Sequence, residues 1–93
     1  MSQVRVVHPH TLPADEARGR LGDFSSLLAK YGVKLDWKGN HGQIKGTGVS
    51  GDVRVTDAEV DITVKLGLVA RAVVDSARLE KSIRKRLVAA FED

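Results

Sequence analysis

Residues 59–66 read EVDITVKL, and the strict alternation of polar and apolar side chains predicts a β-strand with one buried face. Weaker versions of the same period-two pattern occur upstream, at residues 33–38, around Ile44 and at residues 53–55. Short segments rich in glycine or aspartate separate these strands, as expected for turns. Consecutive strands joined by short turns pair antiparallel, so the sequence predicts an antiparallel sheet with one polar face.

A helix is predicted on each side of these strands. Thr11 is the expected N-cap of the first helix, and Gly32 is placed to end it. Its apolar stripe consists of Ala17, Leu21, Phe24, Leu28 and Tyr31. Asp75 or Ser76 should cap the last helix, whose stripe holds Leu79, Ile83, Leu87 and Phe91.

A short strand around Val4 and Val6 precedes the first helix, and Pro9 ends it. The predicted order is therefore β-α-β-β-β-β-α. We expect an α+β fold of two layers, with a single antiparallel β-sheet and two helices on one face. At 93 residues, the chain has the size of one domain that spans residues 1–93.

The composition excludes several classes of function. No cysteine is present, which rules out disulfides, thiolate zinc sites and cysteine nucleophiles. No window resembles a signal peptide or a membrane span, so a cytoplasmic protein is expected. Fifteen Lys and Arg against twelve Asp and Glu give a net charge of +3, which steers partners only weakly.

Residues 46–51 match the pattern G-x-G-x-x-G of dinucleotide-binding loops. That pattern needs a helix directly after it, whereas residues 52–56 alternate as a strand. A glycine-rich hairpin or bulge is the favoured interpretation, and no nucleotide cofactor is expected. Ser50 also lacks the G-x-S-x-G context of an exposed nucleophile, so no catalytic residue is assigned.

His8 and His10 resemble a metal-binding pair, but His41 lies far away in a polar turn. Zinc requires three or four ligands that neighbouring groups hold in place by hydrogen bonds. We therefore expect these histidines to have a structural role, with His10 hydrogen-bonded near the start of the first helix. The carboxylates of Asp57 and Glu59 fit the solvent side of a strand without acid–base chemistry. No metal site is expected.

The strongest local charge lies in residues 78–86, where five basic residues and one acid give +4. Arg78, Lys81 and Lys85 share one helical face, which could meet phosphates or another anionic surface. The alternative is an ordinary solvated face of an amphipathic helix.

Residues 66–74 form the least ordinary stretch, because it is apolar apart from Arg71. It is either a buried connector or an exposed patch for a partner. The candidate contact residues within it are Leu68, Val69, Arg71, Val73 and Val74. Gly42 and Gly46 flank Ile44 in the sheet and hint at a concave face that could accept a ligand.

The ordered set of these signals resembles the polyhydroxyalkanoic acid system family, also described as granule-region proteins. The resemblance covers nearly the whole chain. It is carried by His10-Thr11-Leu12, Glu16-Ala17-Arg18, Tyr31-Gly32, Trp37 with Gly39, Gly48-Val49-Ser50-Gly51, Leu66-Gly67, Leu79-Glu80, Ile83 and Leu87. It implies association with polyester storage granules, or their regulation, in a bacterial cytoplasm, and it implies no catalytic residue.

We therefore expect a non-enzymatic accessory protein that binds a polyester granule surface or a granule-associated protein. The contacts would come from residues 66–74 and the basic helix. Two alternatives remain open at this point: a carrier of small amphipathic acyl ligands, and a nucleic-acid-binding regulator that uses Arg78, Lys81 and Lys85. A homodimer is also compatible with the exposed strand edges.

Overall fold

The computed structural model describes residues 2–30, 32–67 and 75–91. Five strands and three helices are present in these ranges. The strands are β1 (Ser2–Pro9), β2 (Lys34–Lys38), β3 (His41–Gly46), β4 (Val49–Val55) and β5 (Glu59–Leu66). The helices are α1 (Ala14–Gly19), α2 (Gly22–Ala29) and α3 (Ser76–Phe91). The α+β class and the order β-α-β-β-β-β-α are confirmed, with the first helical segment divided into two.

The five strands form one antiparallel sheet in the order β1-β5-β4-β3-β2. The hairpins that join β2 through β5 confirm the predicted antiparallel pairing of consecutive strands. β1 pairs with β5, so that Val4 lies opposite Val64 and Val6 lies opposite Ile62. This long-range pairing gives β5, the most regular strand, a neighbour on each side.

The helices cover one face of the sheet. α3 packs on β1, α2 packs on β2, and α1 contacts β4. Among the described residues no polar or charged side chain is buried, and the core consists of apolar side chains only. They are Val4, Val6, Ala17, Leu21, Phe24, Leu28, Val33, Ile44, Val53, Val55, Val60, Ile62, Val64, Leu66, Leu79, Ile83 and Leu87.

The first helix begins later than predicted, because Thr11 is not its N-cap. Pro13 occupies that position and makes no side-chain cap bond. Pro13 disfavours the helical conformation at the residue before it, which is Leu12. A helix capped by Thr11 would need Leu12 to be helical, so the start at Thr11 is disfavoured. The cap instead comes from another element: the backbone N–H of Ala14 donates to Oδ1 of Asp57 at 2.7 Å.

A break at Arg20 and Leu21 separates α1 from α2. Gly19 and Gly22 flank the break, and glycine is a poor helix former. The backbone N–H of Leu21 donates to the carbonyl of Arg18, three residues back, which is a tightened turn. As a result, Leu21 and Phe24 both reach the core although the helix axis changes.

The predicted end of the first helical segment and the predicted start of the last helix are both confirmed. Gly32 has a φ of 71° after α2, and Val33 donates to the Leu28 carbonyl at 3.1 Å, as in a Schellman ending. At the start of α3, Oδ1 of Asp75 accepts from the backbone N–H of Ala77 at 3.0 Å. Asp75 is therefore the N-cap of α3.

The glycine-rich stretch 46–51 is a hairpin, one of the two forms (hairpin or bulge) that the sequence predicted. Gly46 pairs with Val49, and the two-residue turn between them contains Gly48 with a φ of 72°. A Cβ atom on Gly51 would overlap the backbone carbonyl of Thr63 on β5. Gly67 donates its N–H to the Gly48 carbonyl at 2.7 Å, which ties the hairpin to the end of β5. These glycines serve backbone packing.

Candidate binding surfaces

The outer face of α3 carries the basic residues that the sequence singled out. Leu79, Ile83 and Leu87 point into the core at steps of four residues. Arg78, Lys81 and Lys85 are exposed and project from the opposite side of the same helix. The structure therefore brings these three predicted cations together on one surface, which we call the α3 basic face.

The α3 basic face has little compensating acid. Glu80 lies 3.8 Å from Arg84 and offsets that cation only. Within the described part of the chain, Arg78, Lys81 and Lys85 have no ion pair. Val88, which is 46% exposed, extends the same surface by one turn. The result is a cationic surface with an apolar margin.

Most of the apolar stretch before α3, residues 68–74, lies outside the described residues, whereas Leu66 at its start is buried in the core. Leu68, Val69, Arg71, Val73 and Val74 all belong to residues 68–74. Their role in contacting a partner stays a prediction from the sequence.

The two glycines of β3 do not leave a hollow in the sheet. Leu35 and Trp37 fill the space beside Gly42, where a Cβ atom would lie 2.9 Å from Cδ1 of Leu35 and 3.2 Å from Cε3 of Trp37. Val33 fills the space beside Gly46, at 3.1 Å from a Cβ atom there. The expected concave face at these positions is therefore wrong, because Leu35 and Trp37 of β2, and Val33 just before it, occupy the space.

His8 and His10 both stack on the ring of Phe91. The ring centroids lie 5.7 Å and 5.1 Å from that of Phe91, respectively. Nδ1 of His10 accepts from the backbone N–H of Leu12 at 3.0 Å, which confirms the predicted hydrogen bond near the first helix. The pair thus joins the end of β1 to the end of α3.

His41 lies on the outer face of the sheet, where Nε2 is 3.4 Å from Oδ2 of Asp52. Within residues 2–30, 32–67 and 75–91, no three His, Asp or Glu side chains come close enough to hold a metal ion. No helix in these ranges is long and apolar enough to cross a membrane.

The outer face of the sheet carries a second basic surface that sequence reasoning missed. The register places Lys34 opposite Lys45, Lys45 opposite Ser50, and Ser50 opposite Lys65. All three lysines are exposed. We call Lys34, Lys45 and Lys65 the lysine row. Alternation along each strand puts them on the polar face, but only the pairing register aligns them.

Two acids of this outer face, Asp61 and Asp52, are paired with other cations. Nη2 of Arg5 lies 2.9 Å from Oδ2 of Asp61, and the hydrogen bond and charge of Asp61 raise the pKa of Arg5. Asp52 is shared by His41 and Arg54, whose Nε is 3.3 Å away. No ion pair between described residues includes a lysine of the row.

Trp37 contributes to packing at the β2 edge. It is partly buried, and Cζ of Arg18 lies 5.1 Å from its ring centroid, a cation–π contact between α1 and β2. Gly42 on the neighbouring strand leaves room for the indole. This explains structurally why tryptophan and glycine stand at these two positions.

The sheet is covered by helices on one face, its core is apolar, and its outer surfaces are charged. These features define a small α+β protein with cationic faces. The chain belongs to the polyhydroxyalkanoic acid system protein family, whose model matches residues 4–91. Comparisons with curated proteins and with solved structures give no match. Family membership links the chain to the polyhydroxyalkanoate system and confirms the resemblance seen in the sequence.

Proposed function

We propose that this protein is a non-enzymatic accessory protein of polyhydroxyalkanoate storage, and that it binds anionic groups on granules or on a granule-associated protein through the α3 basic face. The observation that carries the proposal is the clustering of Arg78, Lys81 and Lys85 on one exposed surface of α3. Family membership supports the polyhydroxyalkanoate context.

The rigid placement of α3 supports binding by this face. Leu79, Ile83 and Leu87 anchor the helix in the core, and Nη1 of Arg20 donates to the Ala90 carbonyl at 2.9 Å. Because the helix is held from its core side and near its C-terminus, the backbone positions that carry its cations keep a fixed spacing. A preorganised surface loses less conformational freedom on binding than a mobile one does.

Near an anionic surface each lysine or arginine contributes about 1 kcal/mol of attraction. Three cations therefore give roughly 3 kcal/mol, which is a weak and salt-dependent interaction. The sequence suggests a second contribution, since residues 68–74, apolar apart from Arg71, end two residues before the start of α3. Their part in docking remains a prediction.

Co-sedimentation with isolated polyester granules tests this function. The charge reversal Arg78→Glu, Lys81→Glu, Lys85→Glu should reduce recovery of the folded protein about tenfold or more at low salt. The matched control Arg78→Lys, Lys81→Arg, Lys85→Arg keeps the charge and should sediment like the wild type.

Val69→Asp with Val73→Asp tests the sequence-based contribution of residues 68–74 in the same assay. Equal recovery of the folded charge-reversal variant and the wild type would refute docking through α3. If the charge-reversal variant instead loses binding to single-stranded DNA while its granule recovery is unchanged, the α3 basic face serves nucleic acid.

A further inference from the structure

The lysine row lies on the side of the sheet that faces away from the helices. Lys65 stands between the buried residues Val64 and Leu66, so its side chain leaves the opposite face. Lys34 and Lys45 share this orientation through their pairing. The α3 basic face and the lysine row therefore point in opposite directions.

The two surfaces are electrostatically independent of one another. The shortest extent of the molecule is 20 Å, whereas charges in physiological salt are screened beyond about 8 Å. A single flat anionic surface can touch the α3 basic face or the lysine row, but not both. A protein bound through α3 still presents Lys34, Lys45 and Lys65 to the surroundings.

The lysine row is kept at a cost to the sheet. Like charges directly opposite each other on neighbouring strands destabilise the pair, and Lys34 and Lys45 are such a pair. Asp36 lies on the same face of β2, two residues after Lys34, and forms no ion pair within the described ranges. Ser50, between Lys45 and Lys65, adds a hydroxyl and no negative charge.

The chemistry of this face favours a lipid surface over a nucleic acid. Proteins that bind single strands on a sheet stack bases on aromatic side chains. The described outer-face residues include no Phe, Tyr or Trp, since Trp37 points to the helix side. Three lysines in a row across four strands, about 14 Å at the usual strand spacing, suit the diffuse charge of anionic headgroups.

We propose that the lysine row binds an anionic phospholipid surface, so that the protein bridges two such surfaces, one on each side. The α3 contact of the bridge rests on the proposed function, whereas the lysine-row contact does not. Bridging adds a tethering activity to granule binding.

Dynamic light scattering with vesicles of phosphatidylglycerol and phosphatidylcholine in equal parts tests the bridge. The wild type should cluster the vesicles, and Lys34→Glu, Lys45→Glu, Lys65→Glu should reduce clustering about tenfold or more while the protein still sediments with vesicles. The control Lys34→Arg, Lys45→Arg, Lys65→Arg should cluster vesicles like the wild type. Pure phosphatidylcholine vesicles should not cluster.

The possible failures are distinguishable. If the glutamate variant of the lysine row folds and clusters vesicles as well as the wild type, the bridge is refuted, whatever granules do. If that variant clusters vesicles normally but loses binding to single-stranded oligonucleotides, the surface serves nucleic acid and the lipid assignment is wrong. The granule assay with the α3 variants tests the proposed function separately.

Discussion

Lys34 lies directly opposite Lys45 across the β2–β3 pair, on the solvent face of the sheet. An opposite-charge pair at such a position contributes roughly 0.2–1 kcal/mol, and a like-charge pair costs stability. The register thus places two lysines opposite each other, one of them on the edge strand β2. Stability alone would favour a different pair.

The single substitution Lys34→Glu should therefore stabilise the fold by about 0.5 kcal/mol, because it creates an opposite-charge pair with Lys45. Urea denaturation measures the change. The same variant should cluster anionic vesicles less than the wild type does. Lys38→Glu is the control, since Lys38 lies opposite His41 and outside the lysine row. A loss of stability in Lys34→Glu would contradict the conclusion that the Lys34–Lys45 pair destabilises the sheet.

Asp57→Ala should destabilise the protein by about 1 kcal/mol, because it removes the acceptor for the Ala14 backbone N–H at the start of α1. Asp57→Asn keeps an acceptor oxygen and should recover most of the loss. Urea midpoints of the three proteins provide the measurement. Equal midpoints for the alanine variant and the wild type would show that the cap contributes nothing.

Gly51→Ala should destabilise the protein by about 3 kcal/mol or more, because the added methyl group meets the Thr63 carbonyl in the middle of the sheet. Ser50→Ala, one residue earlier and on the exposed face, should change the stability by less than about 0.5 kcal/mol. Thermal unfolding followed by circular dichroism compares the two. A Gly51→Ala variant as stable as the wild type would refute the steric role.

Gly42→Ala should destabilise the fold by about 1–2 kcal/mol, because the methyl group displaces Leu35 and Trp37. Trp37 is the single tryptophan, so its fluorescence reports the displacement directly. Gly19→Ala has free space around it in α1 and should stabilise by about 0.5–1 kcal/mol. An unchanged Trp37 emission in Gly42→Ala would contradict the tight packing.

Local patterns were sufficient for most of the secondary structure. Alternation in residues 59–66 predicted β5, and all four of its apolar residues are buried. Gly32 marked a helix end and the choice of Asp75 or Ser76 marked a helix start correctly, because these two caps involve neighbouring residues only. The hairpin at residues 46–51 was also predicted, since the following residues alternate as a strand.

Other features depended on residues distant in sequence and left no local signal. The cap on α1 comes from Asp57, 43 residues away from Ala14. The hollow expected at Gly42 is filled by side chains of β2, which only the strand register brings alongside. Thr11 has the side chain of a typical N-cap, but Pro13 shifts the start of the helix to Ala14.

The sequence by itself determined the α+β class, the core stripes and the basic character of α3, because each follows from the period of side chains along one segment. Only the tertiary structure decided which strand lies beside β5, which groups cap α1, and that Lys34, Lys45 and Lys65 form a row. Those features arise from pairing between segments, and pairing register is a property of the assembled sheet.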